Sequence, residues 1–474
     1  MTFISPTFLI FFGVLCFLHF FMEGKGRRWL LLVASFIFIG SFNVVSLFAV
    51  IFFSTFNFVT GLWLAKRQSE FLFLGALFIN CLAIILTNYF LSIHGNFLFS
   101  FGSVEFQVGG LLLVIGLSFY SLQHIAYLVD VKMKRILPET DYIDFLLISC
   151  YFPKFISGPI TLYQHMKGQL AGLSSSAPLR WQGFNRMLLG FLKKMVIADR
   201  LAPSVASVFD YNDALPGITI FMAALFFTIQ LYFDFSGYCD IAIGASKLLG
   251  IELPENFNLP LRSSSITVFW RRWHQTLIHF LTTYVFYPVS FRFRQLKKNA
   301  AAIAIVVTFF ISALWHGIGL TFLAWGCCHT IYLLMELYLR RAKGTTQKKE
   351  SKLKKTGLAM YVLALVAFSN LFFRANSTAN AQHLVSNVFR PRHFFPESWT
   401  VEFVAPLAVG GHQMEQFNWC VTLVFTGLFL LFERKILNLA HSKRFRVLAT
   451  FIALLLIFTF GVFNNGQRFI YMQF

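Results

Sequence analysis

The run AAAIAIVVTFFISALWHGI occupies residues 300–318 and contains no Asp, Glu, Lys or Arg. An uncharged apolar run of about 17–25 residues is long enough to cross a lipid bilayer as a helix. A second run follows at residues 320–339, and similar runs recur along most of the chain. The sequence therefore predicts an all-α, polytopic membrane protein.

The composition agrees with a chain that uses the bilayer as part of its solvent. Hydrophobic residues make up 57% of the 474 residues, charged residues make up 13%, and 62 residues are phenylalanine. So much apolar surface cannot be buried inside a soluble particle of this size. The composition excludes a soluble enzyme, a disordered chain and a secreted disulfide scaffold. The seven cysteines lie mostly within apolar runs without metal-binding or redox spacing, so we expect no metal site.

The formal net charge of +20 comes from 40 Lys and Arg against 20 Asp and Glu. The basic residues lie in short clusters between apolar runs, as expected where Lys and Arg are retained on the cytoplasmic side. The charge therefore indicates membrane topology and contact with anionic lipid, and no nucleic-acid partner is expected.

The apolar runs and basic clusters together predict a single domain, residues 1–474, with about twelve crossings of the cell (inner) membrane. Both termini are predicted outside, because the basic clusters after the first, third and fifth runs lie on the cytoplasmic side only if the N-terminus faces outward, and twelve crossings return the chain to the outside. The loops 92–108 and 205–216 lack Lys and Arg, as exterior loops would. Residues 340–355 are predicted to be a basic cytoplasmic loop, and residues 374–417 an exterior excursion. The predicted spans are 7–22, 29–43, 44–65, 71–91, 109–130, 184–204, 215–235, 300–318, 320–339, 357–373, 418–434 and 446–463.

Two stretches do not fit a plain membrane span. In residues 143–165, Pro153 and Pro159 forbid an uninterrupted helix. Residues 236–290 mix Gly, Pro, Asn and charged residues with aromatics. Irregular backbone at membrane depth is tolerated only where protein or a water-filled cavity surrounds it. Both stretches are therefore predicted to be re-entrant and to lie near the functional site.

An ionisable side chain within a membrane span is costly and is a functional hypothesis by default. His316 lies near the end of the run at 300–318, between Trp315 and Gly317. A neutral imidazole in this position can accept a proton, and the small Gly317 lets a substrate approach the backbone. The alternative is a core histidine that bonds to a backbone carbonyl.

A second candidate group lies in the stretch Phe269-Trp-Arg-Arg-Trp-His274. Helical spacing places Trp270 and His274 on one face and directs Arg271 and Arg272 elsewhere. Paired arginines beside tryptophan also suit an interfacial helix that contacts lipid headgroups, and this alternative stays open.

Asp234 and Asp240 form a third group, at the predicted end of the span 215–235. They can cap the next helix, pair with Arg271 or Arg272, or orient a catalytic histidine. A structural role is favoured over direct chemistry.

These motifs, taken in order, resemble the membrane-bound O-acyltransferase (MBOAT) family. The most specific are Phe233-Asp-Phe-Ser-Gly-Tyr-Cys-Asp240-Ile-Ala-Ile-Gly244, Pro254-Glu-Asn-Phe-Asn-Leu-Pro260, Phe269-Trp-Arg-Arg-Trp-His274 and Leu314-Trp-His316-Gly. The resemblance extends nearly end to end. It is closest to the bacterial branch that contains the alginate O-acetylation membrane subunit, with the teichoic acid D-alanyl transferases as relatives.

The resemblance implies a ring of tilted helices with re-entrant segments around a central tunnel, which joins the cytoplasmic side to an exterior opening. It implies that His316 is catalytic and that His274 is the second catalytic candidate. The supporting or tunnel-lining candidates are Trp315, Asp234, Asp240, Trp270, Arg271 and Arg272. The family usually has Arg-Asp before the next tyrosine, whereas Thr282-Thr283 precede Tyr284 here.

The function implied by the resemblance is transfer of an acyl group, with acetyl as the first choice, to hydroxyls of an extracytoplasmic polysaccharide such as an alginate-like exopolysaccharide or a cell-wall polymer. The expected donor is acetyl-CoA or an acyl-carrier-protein thioester on the cytoplasmic side, with no tightly bound cofactor. An exterior accessory acyltransferase is an expected partner. D-alanyl transfer to teichoic acid is the alternative within the family. A secondary transporter and a non-catalytic scaffold are the alternatives from other classes, although no internal repeat supports a transporter.

Overall fold

The computed structural model describes residues 1–92, 98–101, 104–107, 114–173, 176–210, 215–343, 351–390, 395, 413–441, 446–463 and 469–470. Within these ranges the chain is almost entirely helical, which confirms the predicted all-α class. The helices are α1 (Pro6–Phe21), α2 (Gly24–Gly40), α3 (Val44–Arg67), α4 (Glu70–Ser92), α5 (Leu117–Lys132), α6 (Tyr142–Cys150), α7 (Phe152–Phe155), α8 (Tyr163–Leu170), α9 (Ala177–Phe191), α10 (Asp199–Phe209), α11 (Gly217–Leu248), α12 (Ile266–Trp270), α13 (Gln275–Leu281), α14 (Tyr287–Arg292), α15 (Ala300–His316), α16 (Leu320–Lys343), α17 (Lys352–Arg374), α18 (Thr378–Val388), α19 (Gln413–His441) and α20 (Arg446–Phe460).

Shorter elements connect these helices. Two π-helical segments, Leu192–Ala198 and Thr282–Phe286, continue α9 into α10 and α13 into α14. Two 3₁₀ turns lie at Pro260–Arg262 and Arg294–Asn299. A small antiparallel hairpin, which the sequence did not predict, pairs β1 (Leu98–Phe101) with β2 (Val104–Gln107), so that Leu98 lies opposite Gln107.

Among the described residues, five helices are long and apolar enough to cross a membrane: Val44–Arg67, Glu70–Tyr89, Gly217–Leu248, Leu320–Leu339 and Lys352–Arg374. Three shorter apolar helices, Pro6–Phe21, Ala300–His316 and Val447–Phe460, accompany them. The protein is a multi-pass membrane protein. The number of crossings and the side on which each loop lies stay predictions.

Helix α11 is the central element of the bundle. In its most apolar window 72% of residues are buried, against 22–39% in the other long apolar helices. Its first half contributes to one cluster of buried apolar side chains and its second half to another. Residues on α11 are therefore shielded from lipid and available to build an internal site.

The two predicted interruptions have different outcomes. Residues 143–165 are broken after Cys150 and again after Phe155, as the prolines required. The predicted break at residue 236 is wrong, because α11 continues to Leu248. The charges of Asp234 and Asp240 do not end the helix because buried cations pair with them. Whether either stretch is re-entrant in a bilayer stays a prediction.

Two predicted loops lie partly outside the described residues. Residues 344–350 of the basic loop 340–355 and most of residues 391–412 of the excursion 374–417 are not described. Within the excursion, α18 begins after Ser377, whose hydroxyl accepts a hydrogen bond from the Asn380 N–H at 3.1 Å. The excursion therefore contains at least one ordered helix.

Helices α9 and α11 approach each other closely because glycines face each other. A Cβ atom added at Gly190 would lie 2.6 Å from the carbonyl oxygen of Gly237, and one at Gly183 would lie 2.6 Å from that of Gly244. The glycines repeat every seven residues on both helices, so they remain on the facing sides. This contact brings the end of α9 directly against the middle of α11.

Replacing Gly190 with alanine is expected to destabilise the protein by about 1–3 kcal/mol, because backbone atoms must move to admit the methyl group. Gly75→Ala is the matched control, since nothing lies within 4 Å of a Cβ added there. The melting temperature of each detergent-solubilised variant, measured by loss of the monodisperse gel-filtration peak, makes the comparison. Equal melting temperatures would show that the helix contact can relax without cost.

Candidate active site

His316 occupies the last position of α15, where the helix stops at Gly317. The imidazole is only 6% exposed. Its ring centroid lies 4.8 Å from that of Trp315, 5.1 Å from that of Trp325 and 5.3 Å from that of Phe373. The Asn88 side chain donates a hydrogen bond to the Trp315 carbonyl at 2.9 Å, which anchors this end of α15. A histidine in such a rigid aromatic frame has a defined orientation.

The sequence predicted that His274 and Trp270 share a helix face, and this prediction is wrong. Helix α12 ends at Trp270, and His274 adopts a left-handed conformation with φ 46° just before α13. The loop that follows α11 explains the break, since Asn258 N–H donates to the Arg272 carbonyl and Gln275 N–H donates to the Asn256 carbonyl, both at 2.9 Å. These bonds replace the contacts of a continuous helix.

The hydrogen bonds of the Asn256 side chain indicate which ring nitrogen of His274 carries the proton. Asn256 Oδ1 accepts hydrogen bonds from the Thr276 backbone N–H at 3.1 Å and the Thr276 hydroxyl at 2.9 Å. An atom that accepts from a backbone N–H is the amide oxygen, so His274 Nδ1, 3.2 Å away, must donate to it. In the neutral imidazole, Nε2 then carries the lone pair. His274 is thus arranged to accept a proton at Nε2.

Two large cavities lie against α11, and their linings overlap along the length of this helix. The first, here the His316 cavity, has a volume of about 970 Å³ and is lined by His316, Lys194, Asp234, Phe227 and Arg374 among others. The second, here the Arg186 cavity, has a volume of about 590 Å³ and is lined by Arg186, Lys193, Asp240, Asn256, Arg272 and Glu433 among others. Tyr232 of α11 lines the Arg186 cavity and Asp234 lines the His316 cavity, so the two cavities lie side by side along this helix.

A narrow pocket, here the Trp325 pocket, lies between the two histidines and has a volume of about 20 Å³. Its walls are Leu231, Phe269, Trp270, Trp273, His274, Leu277, His316, Trp325, His329, Val366, Asn370 and Phe373. His316 also lines the His316 cavity, and Asn256, the partner of His274, lines the Arg186 cavity. Both histidines therefore line one pocket, and His316 also lines one of the two large cavities.

Asp234 is buried and pairs with Lys194, whose Nζ lies 2.6 Å from Oδ1. Lys194 also pairs with Asp199 at 2.7 Å, and the Ile470 N–H donates to the second Asp234 oxygen at 2.7 Å. Among the described residues, the polar partners of Asp234 are therefore Lys194 and the Ile470 N–H, and not His274, His316, Arg271 or Arg272. It is a structural wall residue of the His316 cavity.

Asp240 is also buried and pairs with two cations. Arg186 Nη2 lies 2.6 Å from Oδ1, and Lys193 Nζ lies 2.9 Å from Oδ2. Glu433 completes the group at 3.2 Å from Lys193. The predicted pairing of the aspartates with Arg271 or Arg272 is wrong, because α9 and the π-helical segment supply the cations instead.

Lys193 and Lys194 are buried inside the protein, although the charges of adjacent lysines are usually solvated. Lys193 is 3% exposed and Lys194 is 1% exposed. They are adjacent in the π-helical segment Leu192–Ala198, yet Lys193 lines the Arg186 cavity and Lys194 lines the His316 cavity. In the sequence, Asp234 and Asp240 next to an apolar run were the available signal, because buried carboxylates need cations as partners.

The predicted arginines lie apart from the histidines. Arg271 is exposed, and its carbonyl accepts a hydrogen bond from Gln275 Nε2 at 2.8 Å. Arg272 lines the Arg186 cavity. Exposure of Arg271 fits the predicted interfacial role, whereas Arg272 faces a binding cavity.

Two indole N–H groups are buried beside the histidines. In the part of the chain that the structure describes, Trp270 Nε1 and Trp315 Nε1 have no hydrogen-bond acceptor. Buried donors of this kind require an explanation, and a substrate oxygen is one. The Gly317 N–H, a further candidate donor, is already bonded to the Ala313 carbonyl at 3.1 Å.

The structure adds a third histidine that the sequence motifs did not indicate. His329 is buried in the Trp325 pocket, and its Nε2 lies 3.0 Å from the Ser369 hydroxyl. Its ring centroid lies 4.9 Å from that of Trp270. An ionisable residue in the apolar run at 320–339 was the available signal.

The structure is thus a helical membrane protein with two large internal cavities and a pocket that His274 and His316 share. Residues 31–373 match the family model described as "MBOAT, membrane-bound O-acyltransferase family". The chain belongs to the membrane-bound O-acyltransferase family, and it is an acyltransferase.

Proteins with similar sequences are named as O-acetylating or D-alanylating enzymes. The chain is 33% identical over 351 residues to the probable alginate O-acetylase AlgI of Azotobacter vinelandii, covering 72% of this chain and 69% of that protein. It is 30% identical over 415 residues to the peptidoglycan O-acetyltransferase of Helicobacter pylori, covering 80% and 77%. It is 29% identical over 287 residues to the teichoic acid D-alanyltransferase of Bacillus subtilis, covering 56% and 68%.

Proposed function

We propose that this protein transfers acetyl groups from a cytoplasmic thioester to hydroxyls of an extracytoplasmic polysaccharide. The observation that supports it best is that His274 and His316 line one pocket, while His316 also lines the His316 cavity and Asn256, which bonds to His274, lines the Arg186 cavity. This arrangement lets one reactant arrive through each cavity and meet the other at the histidines. Bringing two reactants together in this way is a large part of catalysis.

His316 acts as the general base in this proposal. It takes the proton of the acceptor hydroxyl, whose oxygen bonds to the thioester carbonyl carbon. The carbonyl oxygen gains negative charge, and the indole N–H of Trp315 or Trp270 donates a hydrogen bond to it. The C–S bond then breaks, and the thiolate receives the proton from His316. The acyl group ends as an ester, and the donor leaves as a free thiol.

The donor enters through the Arg186 cavity. Arg186, Arg262, Arg272 and Arg434 are among its lining residues, and guanidinium groups suit the phosphates of CoA or of a phosphopantetheine carrier. In the predicted topology this cavity lies at the cytoplasmic end, next to the basic residues around Arg434. A soluble acyl carrier protein is thus a candidate partner.

The acceptor approaches through the His316 cavity. At its rim Arg374 pairs with Asp210 at 3.3 Å, and Asn376 Nδ2 donates to Asp210 at 2.8 Å. A rim of paired donors and acceptors suits the hydroxyls of a sugar chain. In the predicted topology this rim lies outside, where an accessory acyltransferase can also dock and pass the acyl group to the polymer.

Acetyl is favoured over D-alanyl as the acyl group. The relatives named as O-acetylases match more of this chain than the D-alanyltransferase does. None of the described residues that line the Trp325 pocket is acidic, so a D-alanyl ammonium would lack a counter-charge there.

Deleting the gene from its host is expected to remove base-labile acetate from an envelope polysaccharide, because no other step in the proposal forms that ester. Wild-type protein supplied in trans should restore the acetate, whereas His316→Ala, expressed at the same level, should not. The esters are released by mild base and quantified by chromatography. Loss of D-alanine instead of acetate would support the teichoic acid alternative, and an unchanged envelope would overturn the proposal.

A further inference from the structure

Lys154 is a buried cation for which the described residues provide no counter-charge. It lies in α7 and is only 4% exposed. Its Nζ has no hydrogen-bond partner in the described part of the chain. Lys193 and Lys194, which are equally buried, each contact two carboxylates instead. An ammonium group without such a partner is costly to bury, so Lys154 requires an explanation.

The Lys154 side chain lines a small pocket, here the Lys154 pocket, with a volume of about 10 Å³. Tyr120 of α5 lies in the same wall, and its hydroxyl is buried. Like Lys154 Nζ, this hydroxyl has no hydrogen-bond partner among the described residues. Two buried donors therefore line one pocket, and the described residues supply an acceptor to neither.

The other polar side chains of the wall already have partners. The Ser149 hydroxyl donates to the Phe145 carbonyl at 2.9 Å and lies 3.0 Å from His124 Nε2. Gln123 Nε2 donates to the Thr161 carbonyl at 2.5 Å. These bonds hold the wall in place and leave the two donors facing the pocket.

No negative charge compensates the ammonium group within the described wall, because none of the lining residues there is acidic. Cys150 and His124 interact with Lys154 electrostatically, but a thiol and an imidazole in their usual forms carry no negative charge at neutral pH. An anion accepts hydrogen bonds and donates none, so it would satisfy both donors and the charge together. A water molecule would bring two hydrogens that need acceptors of their own.

The size of the pocket limits the anion to a single atom. Its volume of about 10 Å³ compares with about 10–15 Å³ needed to hold one water molecule. Phosphate, sulfate and carboxylates are too large for this space. A halide ion is only slightly larger than water, and the flexible lysine side chain accommodates the difference.

We propose that the Lys154 pocket binds one halide ion, chloride under cellular conditions, through Lys154 Nζ and the Tyr120 hydroxyl. The ion neutralises the buried ammonium group and ties α7 to α5. The Lys154 pocket shares no described lining residue with the two large cavities or the Trp325 pocket. Halide binding is therefore independent of which acyl group or acceptor the enzyme uses.

The segment that the ion fixes is connected to His274 by three hydrogen bonds. Ile160, also in the pocket wall, donates its backbone N–H to the Thr276 hydroxyl at 3.0 Å. That hydroxyl donates to Asn256 Oδ1 at 2.9 Å, and the same oxygen accepts from His274 Nδ1 at 3.2 Å. The ion thus supports the segment that holds the Asn256–His274 contact in position.

The first test measures the melting temperature of the detergent-solubilised full chain while sodium bromide replaces sodium gluconate at constant ionic strength. Gluconate is too large for the pocket and serves as the inert anion. Raising bromide from about 1 mM to about 100 mM should raise the melting temperature of the wild type by about 2–5 °C for a Kd of about 1 mM or below.

Three variants show whether the rise comes from the Lys154 pocket. Lys154→Met removes the charge at nearly the same volume and should abolish the rise, whereas Tyr120→Phe removes one donor and should reduce it. Lys66→Met removes an exposed cation from α3 and should keep the full wild-type rise. If bromide raises the melting temperatures of the wild type and Lys154→Met equally, or raises neither, the proposal is wrong and Lys154 is buried as a neutral amine.

The second test needs no variant and decides the question even if Lys154→Met and Tyr120→Phe do not fold. Bromide scatters X-rays anomalously, so crystals of the wild type grown in sodium bromide reveal each bound ion directly. We expect an anomalous peak within hydrogen-bond distance of both Lys154 Nζ and the Tyr120 hydroxyl. A map with no peak beside Lys154 would overturn the proposal.

Discussion

His316→Ala is expected to lower acyl transfer by at least about a hundredfold, since that is the lower end of what a general base contributes. The effect should appear in turnover, because the buried ring lies in an aromatic frame that the other side chains maintain. Product formation normalised to membrane-inserted protein is the measurement. His316→Gln, which keeps polarity but accepts no proton at this position, should be almost as impaired.

His274→Ala is the comparison variant. Its loss should be smaller if His274 only orients or polarises, because a water can partly replace its hydrogen bond. The Asn256 contact, however, leaves a lone pair on Nε2 of neutral His274, so this histidine can also take a proton. Near-normal turnover in His316→Gln would therefore shift the role of base to His274.

Lys194→Met is expected to have the largest effect on stability. The change leaves Asp199 and Asp234 buried without their cation, and breaking a buried pair in this way costs about 3–5 kcal/mol. The protein should then fail to accumulate in the membrane. The amount of full-length, monodisperse protein recovered in mild detergent is the measurement.

Two further variants separate charge from packing. Arg271→Met removes an exposed cation and should leave the yield nearly unchanged. Adding Asp199→Asn and Asp234→Asn to Lys194→Met removes the stranded charges and should restore part of the yield. A single Lys194→Met variant with a wild-type yield would contradict a structural role for this ion-pair cluster.

The sequence predicted the helical membrane class correctly, and it pointed to both histidines, for physical reasons that are local. A charge-free run of residues needs no knowledge of its neighbours to be recognised as a span, and a histidine within it is conspicuous. The cations that pair with Asp234 and Asp240 were not predicted, because they lie about 40 residues or more away along the chain. Their approach depends on glycines that allow two helices to touch.

The position of His274 shows the same limit. Helical spacing placed it beside Trp270, but backbone bonds from the loop at Asn256 and Asn258 break the helix between them. The Trp325 pocket also needs side chains from four separate helices besides the segment of His274, so no single stretch of sequence reveals it. Local pattern identified the reactive residues, and only the tertiary contacts show what surrounds them.

The π-helical segment Leu192–Ala198 has a consequence for how chain length can vary among related proteins. A wide turn of this kind accommodates one residue more than the regular helix. Deleting that residue would rotate α10 by about 100° relative to α9. Asp199 would then turn away from Lys194, and the walls of both cavities would be disturbed together. Insertions and deletions are thus tolerable in the loops between helices, whereas a change of one residue in this turn would disturb the walls of both cavities.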